Sequence, residues 1–154
     1  MYRIVIFSDT HGHTEKCIKI LDNLPCDLII HLGDLVRDAE EIQSIFPHIP
    51  IKYVAGNNDF GGYAPYELIV EVEGIKMLLC HGHGISEISL AKRAEQMGCT
   101  FALRGHTHIS GISEINSVTI LNPGSISRPR DGGYGSYGVI EIENGIPKGC
   151  IIPV

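Results

Sequence analysis

The chain has 154 residues, 44% of them hydrophobic, with a formal net charge of −6 from 12 basic and 18 acidic residues. That length supports one domain with a real core, and a mildly acidic chain without a basic stripe argues against long nucleic acid held through its phosphates, leaving only short oligonucleotides open. Five cysteines, an odd count without a C-x-x-C, indicate neither a disulfide framework nor a structural zinc site and read as buried free thiols in a reducing compartment.

Tyr2 to Phe7 is a short β-branched run typical of a buried strand, ending in Ser8-Asp9-Thr10-His11-Gly12. From Thr14 the pattern turns helical, with Cys17, Ile18, Ile20 and Leu21 on one face and Glu15 in the first turn. Asp27 to Leu32 is a second buried strand, ending in Gly33-Asp34; Asp38 to Phe46 is a second helix, stopped before Pro47. Ile51 to Ala55 is a third strand, ending in Gly56-Asn57-Asn58-Asp59. Strand and helix in alternation predict a parallel α/β half.

The second half changes character. Glu67 to Glu73 alternates apolar and polar, and Gly74 turns it into Lys76 to Cys80 as a hairpin. Ser86 to Met97 is an amphipathic helix, and Thr100 to Leu103 a short strand before Arg104-Gly105-His106. Short β runs follow at Gly111–Ile115, Val118–Leu121, Tyr137–Glu143 and Lys148–Ile152. The sum predicts an α/β fold: a four-layer α/β/β/α sandwich of two mixed sheets flanked by helices. No linker or repeat divides residues 1–154, which read as a single domain. The N-terminal run is too short and too early for a signal segment, and no apolar stretch approaches a membrane span. A soluble cytoplasmic protein without a membrane partner is expected; a homo-oligomer is compatible with the sequence.

Seven residues of metal-binding type follow these apolar runs: Asp9, His11, Asp34, Asn57, His81, His106 and His108. Open α/β sheets present ligands at such strand ends. In extended backbone, residues two apart point to one side, so Asp9 with His11 can reach one ion, and the pairs His81/His83 and His106/His108 share that spacing. The mixture of oxygen and nitrogen donors suits two hard-to-borderline divalent ions, and a metal pair is suited to displacement at phosphorus. Glycine adjoins every stretch, at Gly12, Gly33, Gly56, Gly82 and Gly105. Each motif alone fits a turn; together and in order they predict one convergent centre.

From Tyr2 to about the Tyr137–Glu143 strand, these five motifs resemble the calcineurin-like metallophosphoesterase superfamily, in particular its small YfcE-type phosphodiesterase branch. The resemblance implies that Asp9, His11 and His108 hold a first metal, that Asn57, His81 and His106 hold a second, and that Asp34 bridges the two. Mn²⁺ is the expected ion, with Ni²⁺, Zn²⁺, Fe²⁺ or Co²⁺ as alternatives. A water between ions about 3.5–4 Å apart would lose a proton near neutral pH and attack phosphorus in line. The implied substrate is a small phosphate ester, a diester first; a phosphomonoester or nucleotide is the nearest alternative. A retromer subunit uses the same fold as a protein-interaction scaffold, but here all seven ligand positions carry competent donors.

Two positions depart from the family pattern. Asn58 stands where many members have a histidine that serves the leaving oxygen; an amide donates a hydrogen bond but cannot titrate. His13 and His83 are candidate proton donors in its place, although His13 equally fits a helix start and His83 a hydrogen bond behind the ligands. The later aspartate of the second motif is also displaced by one place, to Asp38. Asn122-Pro123-Gly124-Ser125 matches the small branch as a tight turn. Beyond it, Arg128 reads as solvated, while Arg130 fits either a substrate phosphate or solvent. Gly132-Gly133-Tyr134-Gly135 reads as a loop, since no helix follows to make it a phosphate cradle.

Overall fold

A computed structural model describes residues 1–59, 64–127 and 134–154. Arg128, Arg130, Gly132 and Gly133 lie outside those residues. In chain order the described elements are β1 (Tyr2–Phe7), α1 (Glu15–Asn23), β2 (Leu28–His31), α2 (Val36–Ile45), β3 (Ile51–Tyr53), β4 (Glu67–Val72), β5 (Ile75–Cys80), α3 (Glu87–Gln96), β6 (Phe101–Leu103), β7 (Gly111–Ile115), β8 (Val118–Asn122), β9 (Ser136–Glu143) and β10 (Ile146–Pro153).

The strands form two five-stranded mixed sheets, ordered β10-β9-β1-β2-β3 and β4-β5-β6-β8-β7. Each has a parallel centre: β1 pairs parallel with β2 and β2 with β3 in the first, β5 with β6 and β6 with β8 in the second. Antiparallel strands β10 and β9 complete one edge of the first sheet, whose other edge is the parallel β3, and antiparallel β4 and β7 form both edges of the second. Parallel strands start at one side of a sheet and finish at the other, so the loops after β1, β2 and β3 emerge together, as do those after β5, β6 and β8.

Alternation along the strands makes the four layers. Ile4 and Ile6 of β1 point to a core shared with Met77 and Leu79 of β5 and Phe101 and Leu103 of β6, between the sheets. Val5 and Phe7 point the other way, onto Cys17 and Leu21 of α1 and Ala39 and Ile42 of α2. On the far side, Leu78 and Ala102 meet Leu90, Ala91 and Ala94 of α3. Central strands are thus buried on both faces, and β1 and β2 read as unbroken apolar runs for that reason. The hairpin turns at Glu73 and Gly74, whose φ values of 51° and 77° are those a two-residue hairpin of favoured twist requires.

One boundary differs from the sequence expectation for a definable cause. Helix α2 begins at Val36, two residues before Asp38. Its first residues lack a local side-chain cap, and Asp59 supplies one from across the sheet, accepting the N–H groups of Leu35 at 3.2 Å and Val36 at 2.8 Å. A cap 23 residues downstream leaves no mark at the helix start itself. All five cysteines are free thiols. Burial pushes Cys26 and Cys80 up to about 11 and Cys17 higher still, which keeps these thiols protonated near neutrality. No helix among the described residues is long and apolar enough to cross a membrane.

Candidate metal centre

All seven expected residues lie in turns after strands: Asp9 and His11 after β1, Asp34 after β2, Asn57 after β3, His81 after β5, and His106 and His108 after β6. Extended backbone does not place five of them. Asp9, His11, Asp34, His106 and His108 have φ of 53°, 49°, 58°, 71° and 60°, all in the left-handed region. The two-apart rule for strands therefore does not apply here, and the D-x-H and H-x-H pairs converge or separate by turn geometry. His108 goes with Asp9 and His11, whereas His106 goes with Asn57 and His81. Asp and His enter this region more readily than most residues; holding each there costs about 1–3 kcal/mol unless surrounding contacts impose it.

Those contacts are specific. Asp9 N–H donates to the Gly33 carbonyl at 3.1 Å. Ser125 Oγ donates to the Asp9 carbonyl at 2.8 Å and Ser127 Oγ to the Thr10 carbonyl at 3.0 Å. Asn122 Nδ2 donates to the Gly105 carbonyl at 3.2 Å and to Thr107 Oγ1 at 2.9 Å, while its Oδ1 accepts Gly124 N–H. The Asn122–Ser125 turn thus clamps the histidine-bearing turns after β1 and β6. Gly105 packs so closely that a Cβ there would run into Ser8 Oγ and lie 2.7 Å from Asp9 Oδ2. A Cβ at Gly56 would lie 2.8 Å from the Asp34 nitrogen. At these two positions glycine is required by close approach.

Donor atoms converge in two groups, Asp9–His11–His108 and Asp9–Asp34–His81, each with its ligand atoms within 4.8 Å of one another. Asp9 belongs to both. His11 Nε2 and His108 Nε2 are 3.2 Å apart, and His108 Nε2 is 3.2 Å from Asp9 Oδ1. His81 Nε2 lies 3.7 Å from the same oxygen and 3.2 Å from His106 Nδ1, which is itself 3.2 Å from Asn57 Oδ1. All seven residues therefore form one continuous cluster through Asp9 and His81, which Asp34 joins in the Asp9–Asp34–His81 group.

Two features show that this cluster fits cations. Asp9 is fully buried; its Oδ2 accepts Ser8 Oγ–H at 2.7 Å and His106 N–H at 2.9 Å, but its Oδ1 has no hydrogen-bond partner. A buried carboxylate oxygen without a donor is costly, and an ion among the facing imidazole nitrogens removes that cost. His81, 1% exposed, has Nδ1 2.9 Å from the Leu32 carbonyl. Nδ1 must carry the proton to donate there, which leaves an Nε2 lone pair pointing into the cluster. Burial, reinforced by His81, lowers the pKa of His106 and favours its neutral, ligating form.

Behind the cluster runs a chain that sequence reading did not find. His31 is wholly buried; its Nδ1 accepts Gly33 N–H at 3.1 Å, and its Nε2 lies 3.0 Å from Thr10 Oγ1. Thr10 Oγ1 donates to Asp38 Oδ2 at 2.5 Å, and Gly12 N–H donates to the same oxygen at 2.8 Å. Nδ1 being the acceptor, Nε2 carries the proton and donates to Thr10. Asp38, one place off the family position, still secures the His11 turn. Burial pushes His31 down to about 4 against the opposing pull of Asp38, Asp9 and Asp59. In sequence His31 lies inside the apolar run Asp27 to Leu32 and reads as strand.

The proposed proton donors separate. Asn58 donates to Asp34 twice, backbone N–H to Oδ1 at 2.9 Å and amide Nδ2 to Oδ2 at 2.5 Å. His13 is exposed, with Nδ1 3.8 Å from Glu15 Oε1. His83, also exposed, sets its ring 5.7 Å from His81 and 6.2 Å from His106, at the edge of the cluster. Arg130, the expected phosphate contact, falls outside the described residues.

The chain is similar to known proteins over most of its length. The model of the calcineurin-like phosphoesterase superfamily domain matches residues 2–145. A probable metallophosphoesterase, YsnB of Bacillus subtilis, is 34% identical over 148 residues, covering 92% of this chain and 85% of its own. Phosphodiesterase YfcE of Escherichia coli is 24% identical over 166 residues, covering 92% and 88%. The crystal structure of a predicted phosphoesterase from Streptococcus pneumoniae superposes with a TM-score of 0.82 at 27% identity, covering 99% of this chain and 89% of that one.

Proposed function

Because the chain belongs to the calcineurin-like phosphoesterase superfamily, we propose that it hydrolyses small phosphodiesters with the help of two divalent ions, Mn²⁺ foremost. Asp9, His11 and His108 hold one ion in this reading, and Asn57, His81 and His106 the other, with Asp34 between them. Asp9 Oδ1, buried, unpartnered and faced by the Nε2 atoms of His81 and His108, is the observation that carries it.

Bound divalent ions supply positive charge for the phosphoryl oxygens and acidity for water. The chain's own residues do the rest. Two carboxylates, Asp9 and Asp34, leave the centre net positive against two dications and draw in a phosphate anion. Asn57 adds only a neutral oxygen. Ser8 and the His106 N–H fix Asp9 by its other oxygen, and Asn58 fixes Asp34, so the donors stand ready before substrate arrives. We assign the leaving-group proton to His83, whose exposed ring borders His81 and His106, rather than to His13, which stands against Glu15. An imidazole N–H within reach of the leaving oxygen can donate to it as the ester bond breaks.

The test is hydrolysis of bis-(4-nitrophenyl) phosphate by metal-stripped protein before and after Mn²⁺, with 4-nitrophenyl phosphate alongside. Activity restored by metal and larger on the diester is the expected result. Larger activity on the monoester replaces the diesterase reading with a phosphatase; none on either, with both ions bound, replaces it with a scaffold.

A further inference from the structure

Beside the cluster lies a cleft of about 230 Å³, lined by Tyr66, Cys80, His83, Ile85 and Leu90 together with the Glu67–Arg93 pair. It is smaller than the roughly 300–1,000 Å³ of sites that take whole drug-sized ligands, so its size suits one substituent of a larger molecule. Its position suits a substituent of a molecule bound at the metal centre, because His81 also lines it.

A row of rings leads from the centre into the cleft. His81 and His106 are 5.1 Å apart, His83 is 5.7 and 6.2 Å from them, and Tyr66 stands edge-on to His83 at 6.0 Å and 64°. Tyr66 is 58% exposed, with a ring face not consumed by the core. The walls are built firmly. Arg104, 5% exposed, donates from Nη2 to the Gly82 carbonyl at 3.0 Å and from Nη1 to the Ile85 carbonyl at 3.3 Å, holding the turn that carries His83. Arg93 grips both Glu67 oxygens, at 2.6 and 2.7 Å, so neither charge is left to repel an apolar guest.

We propose that this cleft is the seat of an aromatic substituent of the phosphate ester, packed against the paired rings of Tyr66 and His83 while the phosphoryl group occupies the metal centre. The proposal rests on the phosphoesterase reading above. It selects aryl or nucleobase esters over plain alkyl ones. Ring contacts of this kind support a preference of roughly tenfold.

Calorimetric binding to the Mn²⁺-loaded protein tests it without turnover. Phenylphosphonate is compared with methylphosphonate, and thymidine 5′-monophosphate with ribose 5-phosphate, on the native chain and on Tyr66→Leu and Tyr66→Phe. The expected result is a roughly tenfold preference for the aromatic member of at least one pair, lost in Tyr66→Leu and kept in Tyr66→Phe. The pair that shows it tells aryl from nucleobase. No preference in either pair, or one that survives Tyr66→Leu, overturns the seat while leaving the metal reading intact. If no phosphonate or phosphate binds at all, the metal reading fails and the seat falls with it.

Discussion

Asn58 grips Asp34 through two hydrogen bonds, backbone to Oδ1 at 2.9 Å and side-chain amide to Oδ2 at 2.5 Å. Asn58, for which the resemblance suggested a role at the leaving oxygen, is here engaged with a carboxylate of the candidate centre. Its work in this arrangement is to aim that carboxylate. Asn58→Ala is expected to weaken Mn²⁺ binding by about 10–100-fold, the usual consequence of removing a partner that orients a ligand. Titration calorimetry with Mn²⁺ reads this directly, and unchanged affinity would show that Asp34 needs no such support. Asp34→Asn is expected to be more severe, with loss of the paired ions on elemental analysis.

His106 and His108, two apart in sequence, face different groups of donors. His106→Ala and His108→Ala are therefore each expected to lose one ion and keep the other. Elemental analysis after dialysis, combined with electron paramagnetic resonance of the Mn²⁺-loaded forms, distinguishes a coupled pair from a single ion. Full occupancy in either variant removes that histidine from the ligand set.

Gly105→Ala is expected to damage stability and metal binding together. The added methyl collides with Ser8 Oγ and crowds Asp9 Oδ2, and forced overpacking costs about 1–3 kcal/mol. Urea unfolding should move to a lower midpoint at unchanged slope. A variant with wild-type stability and wild-type Mn²⁺ affinity would mean that the turn can yield.

His31 gives the fold an acid-sensitive component. Its folded pKa is near 4, below the ordinary value of about 6.5. Between those two values the unfolded chain takes up a proton at this site and the folded chain does not. Stability is therefore full above about pH 6.5 and falls as pH drops toward about 4. His31→Phe should flatten stability across that window. It should also cost about 1–3 kcal/mol near neutrality, because Gly33 N–H loses its buried acceptor. Denaturant unfolding at a series of pH values measures both, and an undiminished acid slope in His31→Phe would assign the effect to other groups.

Sequence alone carried the architecture a long way. Apolar runs too short for membrane spans, split by helical periodicity and by glycine-bearing turns, located all ten strands and three helices described here. The reason is local: a strand buried on both faces must be apolar at every position, and an outer helix must be apolar on one stripe. The seven candidate donors could be picked out because each stands just after such a run, and their order carried the resemblance to the family.

Tertiary structure decided what depends on residues distant in the chain. Sheet order, β10-β9-β1-β2-β3 and β4-β5-β6-β8-β7, depends on pairings that hydrophobic pattern does not encode. Asp9, His11, Asp34, His106 and His108 stand in left-handed turns, and Gly33, Asn122 and Ser125 hold the turns after β1 and β6 from distant positions; Asp9 and His11 share one group as their spacing suggested, whereas His106 and His108 face different donors. Asp59 caps a helix that begins 23 residues before it, His31 locks a threonine 21 residues away, and Asn58 turns from the open mouth to Asp34. A hydrogen bond acts over about 3 Å whatever the separation along the chain. Chemistry built from such bonds is therefore fixed only when the two sheets bring their loops to one place.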